Sequence, residues 1–152
     1  EPVLFYGHRE GTYAAFSNFY PAAFTLRTKS GSTLHFACSE QAFMYGKSKD
    51  PAYCQKVLKT TDPHSVKKLG RSCTLRPDWD NIKYGWMVEV LRAKFSQNPD
   101  LKELLLLTGD RPIHEDCPDP WWGGGPNYPR GRDLLGKALM EVRTWLREQE
   151  NP

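Results

Sequence analysis

A chain of 152 residues with 39% hydrophobic content is long enough for one domain with a proper core, and no composition break or low-complexity run marks a boundary within residues 1–152. A net charge of +3 falls short of the basic footprint of a dedicated nucleic-acid binder and leaves small anionic ligands as candidates. Cys38, Cys54, Cys73 and Cys117 lack the paired spacing of a structural zinc site, and no spanning apolar stretch or signal-peptide core is present. The composition therefore points to a soluble intracellular protein, cytoplasmic or nuclear, with free thiols, no metal and no membrane association.

Short apolar runs open the chain at Val3–Tyr6, Phe16–Pro21, Phe24–Leu26 and Thr33–Phe36. They read as strands, with Gly31-Ser32 turning the last two into a hairpin, while Ser17-Asn18 and Pro21 favour an irregular loop. From Ser39, a capping residue, a helix is predicted through Lys47, and Asp50-Pro51 and Asp62-Pro63 each offer a cap followed by a helix-starting proline. The longest helix begins near Asp78, where Trp79, Ile82, Trp86, Met87, Val90, Leu91 and Phe95 recur at helical spacing as one apolar stripe. Asn98-Pro99 starts a short helix, Thr108-Gly109-Asp110 turns the chain, and Leu135 to Leu146 forms a closing amphipathic helix. Helices with a little sheet near the N-terminus predict a mainly helical α+β domain.

The segment from Glu115 to Gly124 sets Glu115, Asp116 and Asp119 beside Trp121, Trp122, Gly123 and Gly124. Carboxylates there can share proton and cation-stabilising work at a glycosidic carbon, indole faces cover a sugar or base, and glycines admit close backbone approach. The same segment also suits a surface loop anchored by two core tryptophans. Seven positions apart, Glu40 and Lys47 would share one helix face beside Phe36 and Phe43. A lysine held over aromatic surface becomes a nucleophilic amine, or else it snorkels with its ammonium in water. Lys94, along the stripe of the long helix, is a second amine of this kind. His8, His35, His64 and His114 are scattered and read as surface or capping residues, and the basic cluster around Lys67 reads as a solvated helix face.

The segments Phe16–Pro21, Ser39–Phe43 with Lys47, Ala93–Asn98, Thr108–Asp110, Glu115–Gly124 and Leu135–Met140 with Arg143 resemble, in this order, the NADAR family, also called YbiA-like. The resemblance runs from about residue 5 to 147. It implies cleavage of N-glycosidic bonds in ADP-ribose-like or phosphoribosyl ligands, without a cofactor and as a monomer. One activity of the family removes ADP-ribose from guanine bases in DNA, and another hydrolyses phosphorylated riboflavin-synthesis intermediates. A non-catalytic ADP-ribose or NAD-binding module is the remaining alternative. By motif, Lys47, Glu40, Glu115 and Asp119 become the catalytic residues, with Lys47 as a Schiff-base nucleophile and Lys94 as its reserve. Phe16, Ser17, Asn18, Phe19, Phe43, Trp86, Trp122, Gly123 and Gly124 become the ligand-binding residues. The chain departs from the family pattern at Arg132-Asp133, where asparagine is commoner, and at the Trp121-Trp122 pair.

Overall fold

The computed structural model describes residues 1–151. Among them, the order is β1 (Val3–Phe5), a 3-10 turn at Ala14–Phe16, β2 (Phe24–Arg27), β3 (Thr33–Phe36), α1 (Ser39–Tyr45), α2 (Pro51–Lys59), α3 (Pro63–Arg71), α4 (Trp79–Gln97), α5 (Pro99–Leu107), β4 (Ile113–Glu115) and α6 (Leu134–Glu150). The mainly helical α+β expectation matches this architecture, as do the hairpin and the proline-started helices. Asp50 and Asp62 cap α2 and α3 by accepting from the backbone N–H groups of Tyr53 and Ser65, at 3.3 and 2.9 Å. In the β2–β3 hairpin Phe24 faces Phe36, and Gly31 takes the positive φ of 90° that its turn requires.

Four local expectations are corrected. Phe16–Pro21 is the irregular loop that Ser17-Asn18 and Pro21 favour and not a strand: Phe16 ends the 3-10 turn and its ring is enclosed by Phe5, Tyr13 and Phe95. Helix α1 stops at Tyr45 with Gly46 as its C-cap, so Lys47 lies past the helix; the Trp86 indole packs against Gly46 and fills the space a side chain there would need. Ser39 is the first helical residue rather than the cap, because its hydroxyl is engaged with Asn18. The Glu115–Gly124 segment is not loop throughout, because Glu115 is the last residue of the strand Ile113–Glu115. That strand pairs in parallel with β1, Val3 opposite Ile113 and Phe5 opposite Glu115.

Helix α4 crosses the molecule between two apolar clusters, which is why its buried residues occupy more than the one predicted stripe. Met87, Leu91 and Phe95 join Leu135, Leu139, Val142 and Leu146 of α6 in the main core, whereas Val90 and Ala93 meet the hairpin at Phe24 and Phe36. Buried Arg143 on α6 ties down the turn before β4, its Nη1 donating to Thr108 Oγ1 at 2.9 Å and to the Arg111 carbonyl at 2.8 Å. Burying a guanidinium is tolerable only with such partners. No helix among the described residues is long and apolar enough to cross a membrane.

Candidate active site

A cavity of about 900 Å³ opens between α1, α3, the start of α4 and the loop after β4. Glu40 enters it from the first turn of α1. The Glu40 N–H donates to the Asn18 carbonyl at 2.9 Å, and Ser39 Oγ donates to Asn18 Oδ1 at 2.8 Å. The loop Ser17-Asn18 is thereby stapled to the helix start, satisfying amide groups that a helix N-terminus leaves free. Beneath it, Lys94 is fully buried, and its Nζ donates to the Ser17 carbonyl at 3.0 Å and to Ser39 Oγ at 3.4 Å. Burial pulls the Lys94 ammonium down to about 7.

Glu115 reaches the same cavity from the end of β4. Its backbone is held on three sides: the Asp116 N–H donates to Phe5 O at 2.8 Å, the Gly124 N–H to Glu115 O at 2.9 Å, and the Glu115 N–H to Asp133 Oδ1 at 3.3 Å. Asp133 also accepts from His114 Nδ1 at 2.7 Å. It sits at the entry to α6 in the left-handed region, φ 56°, a conformation that Asp and Asn tolerate better than most residues. The departure at Arg132-Asp133 thus supplies a carboxylate with two local partners.

The two cavity carboxyls are both pushed up to about 7, chiefly by burial. Their neighbours differ. Lys67 and, more weakly, Lys47 favour the ionised form of Glu40, whereas Asp119 and Glu40 oppose ionisation of Glu115. Lys67 and a Cys117 hydrogen bond also favour ionised Glu115, so with both groups near 7 the pair shares close to one proton at neutral pH.

Most of the predicted site residues share this cavity: Glu40, Lys47, Glu115 and Asp119 line it together with Ser17, Asn18, Phe19, Phe43 and Trp122. Phe43 meets Trp122 edge-on at 5.1 Å and Trp79 at 5.0 Å, giving an aromatic floor. Lys47 Nζ donates to the Gly70 carbonyl at 3.0 Å. One oxygen of Asp119 accepts from the N–H groups of Trp121 and Trp122, at 2.9 and 3.0 Å, so that carboxylate shapes the loop it belongs to. Phe16, Trp86, Gly123, Gly124 and Lys94 do not line the cavity. Phe16 is core, and Trp86 lies on the far side of α1, donating its indole N–H to Ala42 O at 3.0 Å. Gly123 and Gly124 form the wall behind Glu115, where a Cβ on Gly123 would overlap the Cys117 carbonyl.

Sequence reasoning passed over Lys67, His8, His64 and Trp79, all of which line the cavity. His64 and Lys67 stand three apart on α3, and that spacing was the only signal in the sequence of a shared face.

The NADAR domain matches residues 4–147. N-glycosidase Npun_R5314 of Nostoc punctiforme is 37% identical over 138 residues, 89% of this chain and 86% of that protein. N-glycosidase YbiA of Escherichia coli is 35% identical over 137 residues, 88% of this chain and 82% of that one. The NMR structure of E. coli YbiA superposes with a TM-score of 0.81 at 30% identity, covering 99% of this chain and 89% of that one. A riboflavin biosynthesis protein of Vibrio vulnificus is 34% identical over 151 residues, which are 97% of this chain and 39% of that longer protein. The matched span runs from β1 into α6 and so includes both cavity carboxyls, and relatives alike in sequence share the fold: the chain belongs to the NADAR domain family.

Proposed function

We propose that this chain is an N-glycosidase that removes ADP-ribose from guanine bases in DNA. The observation that carries the reading is the pair Glu40, buried, and Glu115, half-buried, carboxyls from distant segments that face one cavity and are both pushed up to about 7. Loss of a base from an anomeric carbon needs an acid at the departing nitrogen and negative charge near the carbon. Glu115 is suited to the first role and Glu40 to the second. The names of the Nostoc and E. coli relatives support the same reaction class.

Where the bond is to an exocyclic amine, the sugar ring opens as the nitrogen lone pair forms C1′=N and the proton goes to the ring oxygen. The neutral Lys47 amine then adds to C1′; one of its protons and the proton that Glu115 delivers both pass to the base nitrogen, which leaves as a neutral amine and leaves a protonated lysine imine. Water, deprotonated by Glu40, attacks that imine and releases the sugar aldehyde and the free Lys47 amine, and the proton on Glu40 passes back to Glu115 to restore both carboxyls. Lys47 is favoured over Lys94 because it lines the cavity.

Borohydride added during turnover should trap a sugar adduct on Lys47. An active enzyme that yields no adduct leaves the direct attack of water assisted by the carboxylates. The substrate is tested by offering ADP-ribosylated DNA and a phosphoribosylaminopyrimidine in parallel and following base release by mass spectrometry. Release from the second alone would replace the DNA reading with one on riboflavin intermediates, which the name of the Vibrio relative favours. Binding of ADP-ribose without base release from either would leave a binding module.

A further inference from the structure

Around Phe19, on the lining of the cavity, three chain segments bring basic and aromatic side chains together. His8 comes from the loop after β1, Phe19 from the loop after the 3-10 turn, and His64 and Lys67 from successive turns of α3. The His64 ring meets Phe19 edge-on at 4.8 Å. His8 lies 5.6 Å from Phe19 and 6.2 Å from His64, and Lys67 Nζ stands 5.6 Å from the Phe19 centroid. Arg9 adds a second cation to this rim, and Glu10 is its one carboxylate.

Neither histidine ring makes a hydrogen bond among the described residues, and no carboxylate there stands within ion-pair distance of Lys67. Surface lysines and histidines usually extend into solvent, but these converge on one aromatic ring over an open cavity. Ring nitrogens and an ammonium in that arrangement match the oxygens of a phosphoryl group, as charge-assisted donors do. Lys67 is also the charge felt most strongly by Glu40, so the cluster is close to the carboxyl assigned to the anomeric centre. A ribose carrying phosphate on O5′ presents its anomeric carbon and its phosphoryl group on that short scale.

We infer that His8, His64 and Lys67, packed around Phe19, form the subsite for the 5′-phosphoryl group of the ribosyl substrate. The sugar then lies with its phosphate towards α3 and its base towards Trp121 and Trp122. The ligand's identity rests on the ribosyl reading above, whereas the anion site does not. Both substrate classes carry that phosphoryl group, as a diphosphate in ADP-ribose and as a monoester in a phosphoribosyl compound.

Calorimetry with ADP-ribose, ribose 5-phosphate and ribose tests the assignment on wild type and on the double variant His8→Gln with His64→Gln. Both histidines lie outside the core, and circular dichroism checks that the variant folds. The affinity for both phosphorylated ligands should fall about tenfold or more, the scale of one or two lost hydrogen bonds to a phosphoryl group, with ribose unaffected. A larger loss for ADP-ribose shows that the rings also contact its second phosphoryl group, and equal losses show that they contact the shared 5′-phosphoryl group alone. Equal affinities in the two proteins, or a wild type that binds ribose as well as ribose 5-phosphate, overturns the subsite. If the subsite holds while neither glycoside is cleaved, the hydrolytic reading alone fails.

Discussion

The Lys94 ammonium lies 3.0 Å from the Ser17 carbonyl oxygen in a place with no solvent access, and the loop it holds there is the one that carries Asn18 to the first turn of α1. The amine acts on the cavity through backbone it supports, which makes Lys94 a positioning residue. Lys94→Met keeps the stem and removes the donor. It should lower kcat/KM by about tenfold, the scale of one lost buried hydrogen bond felt at the site. Borohydride trapping should label Lys47 and leave Lys94 unmodified; an adduct on Lys94 would exchange their roles.

Glu40 links the cavity to stability. Its folded value of about 7 lies above the ordinary 4.5, so between those limits the folded chain keeps a proton that the unfolded chain releases. Stability from this group is complete below pH 4.5 and is lost as the pH rises through 7. Glu40→Gln removes the dependence. Urea unfolding should show the variant more stable than wild type by up to about 3 kcal/mol above neutrality, with the two converging in acid. A difference independent of pH would refute it.

Catalysis should follow the shared proton of the two glutamates. Turnover should peak near neutrality and fall on both sides, since acid protonates Glu40 and alkali strips Glu115. Glu115→Gln should lower kcat on the order of a hundredfold or more, and the residual rate should lose its alkaline limb while retaining the acid one. Loss of the acid limb instead would reverse the two assignments.

Trp86 is a structural tryptophan. Trp86→Phe removes the donor to Ala42 O and should cost roughly 1–2 kcal/mol of stability with KM unchanged. A raised KM with unchanged stability would return Trp86 to the ligand.

The helices that carry the site were legible because their signals are local. Asp-Pro pairs start α2 and α3, and the spacing of Trp79, Met87, Leu91 and Phe95 marks α4. Strand β4 was illegible, since Ile113–Glu115 is too short to display a period and its partner β1 lies more than a hundred residues earlier. Lys47 reads as part of α1 in the sequence because no sequence rule registers the Trp86 indole against Gly46. Asp119 was readable as an acidic residue near the site, but its bonds to the Trp121 and Trp122 amides depend on the turn it makes. His8, His64 and Lys67 each resemble solvent-facing residues until the chain is folded, when Phe19 gathers them.

The pairing of Phe5 with Glu115 closes a loop that spans most of the chain, and only that closure brings the Glu115 carboxyl opposite Glu40. Ordering so long a loop is entropically costly and comes late in folding, whereas α1 to α4 contact one another locally and form early. A refolding chain should therefore regain its helical circular dichroism before any glycosidic activity. Immature molecules that already present Glu40, Phe43 and Trp79 but not Glu115 and Trp122 should therefore release no base, so activity should appear only with the last closure.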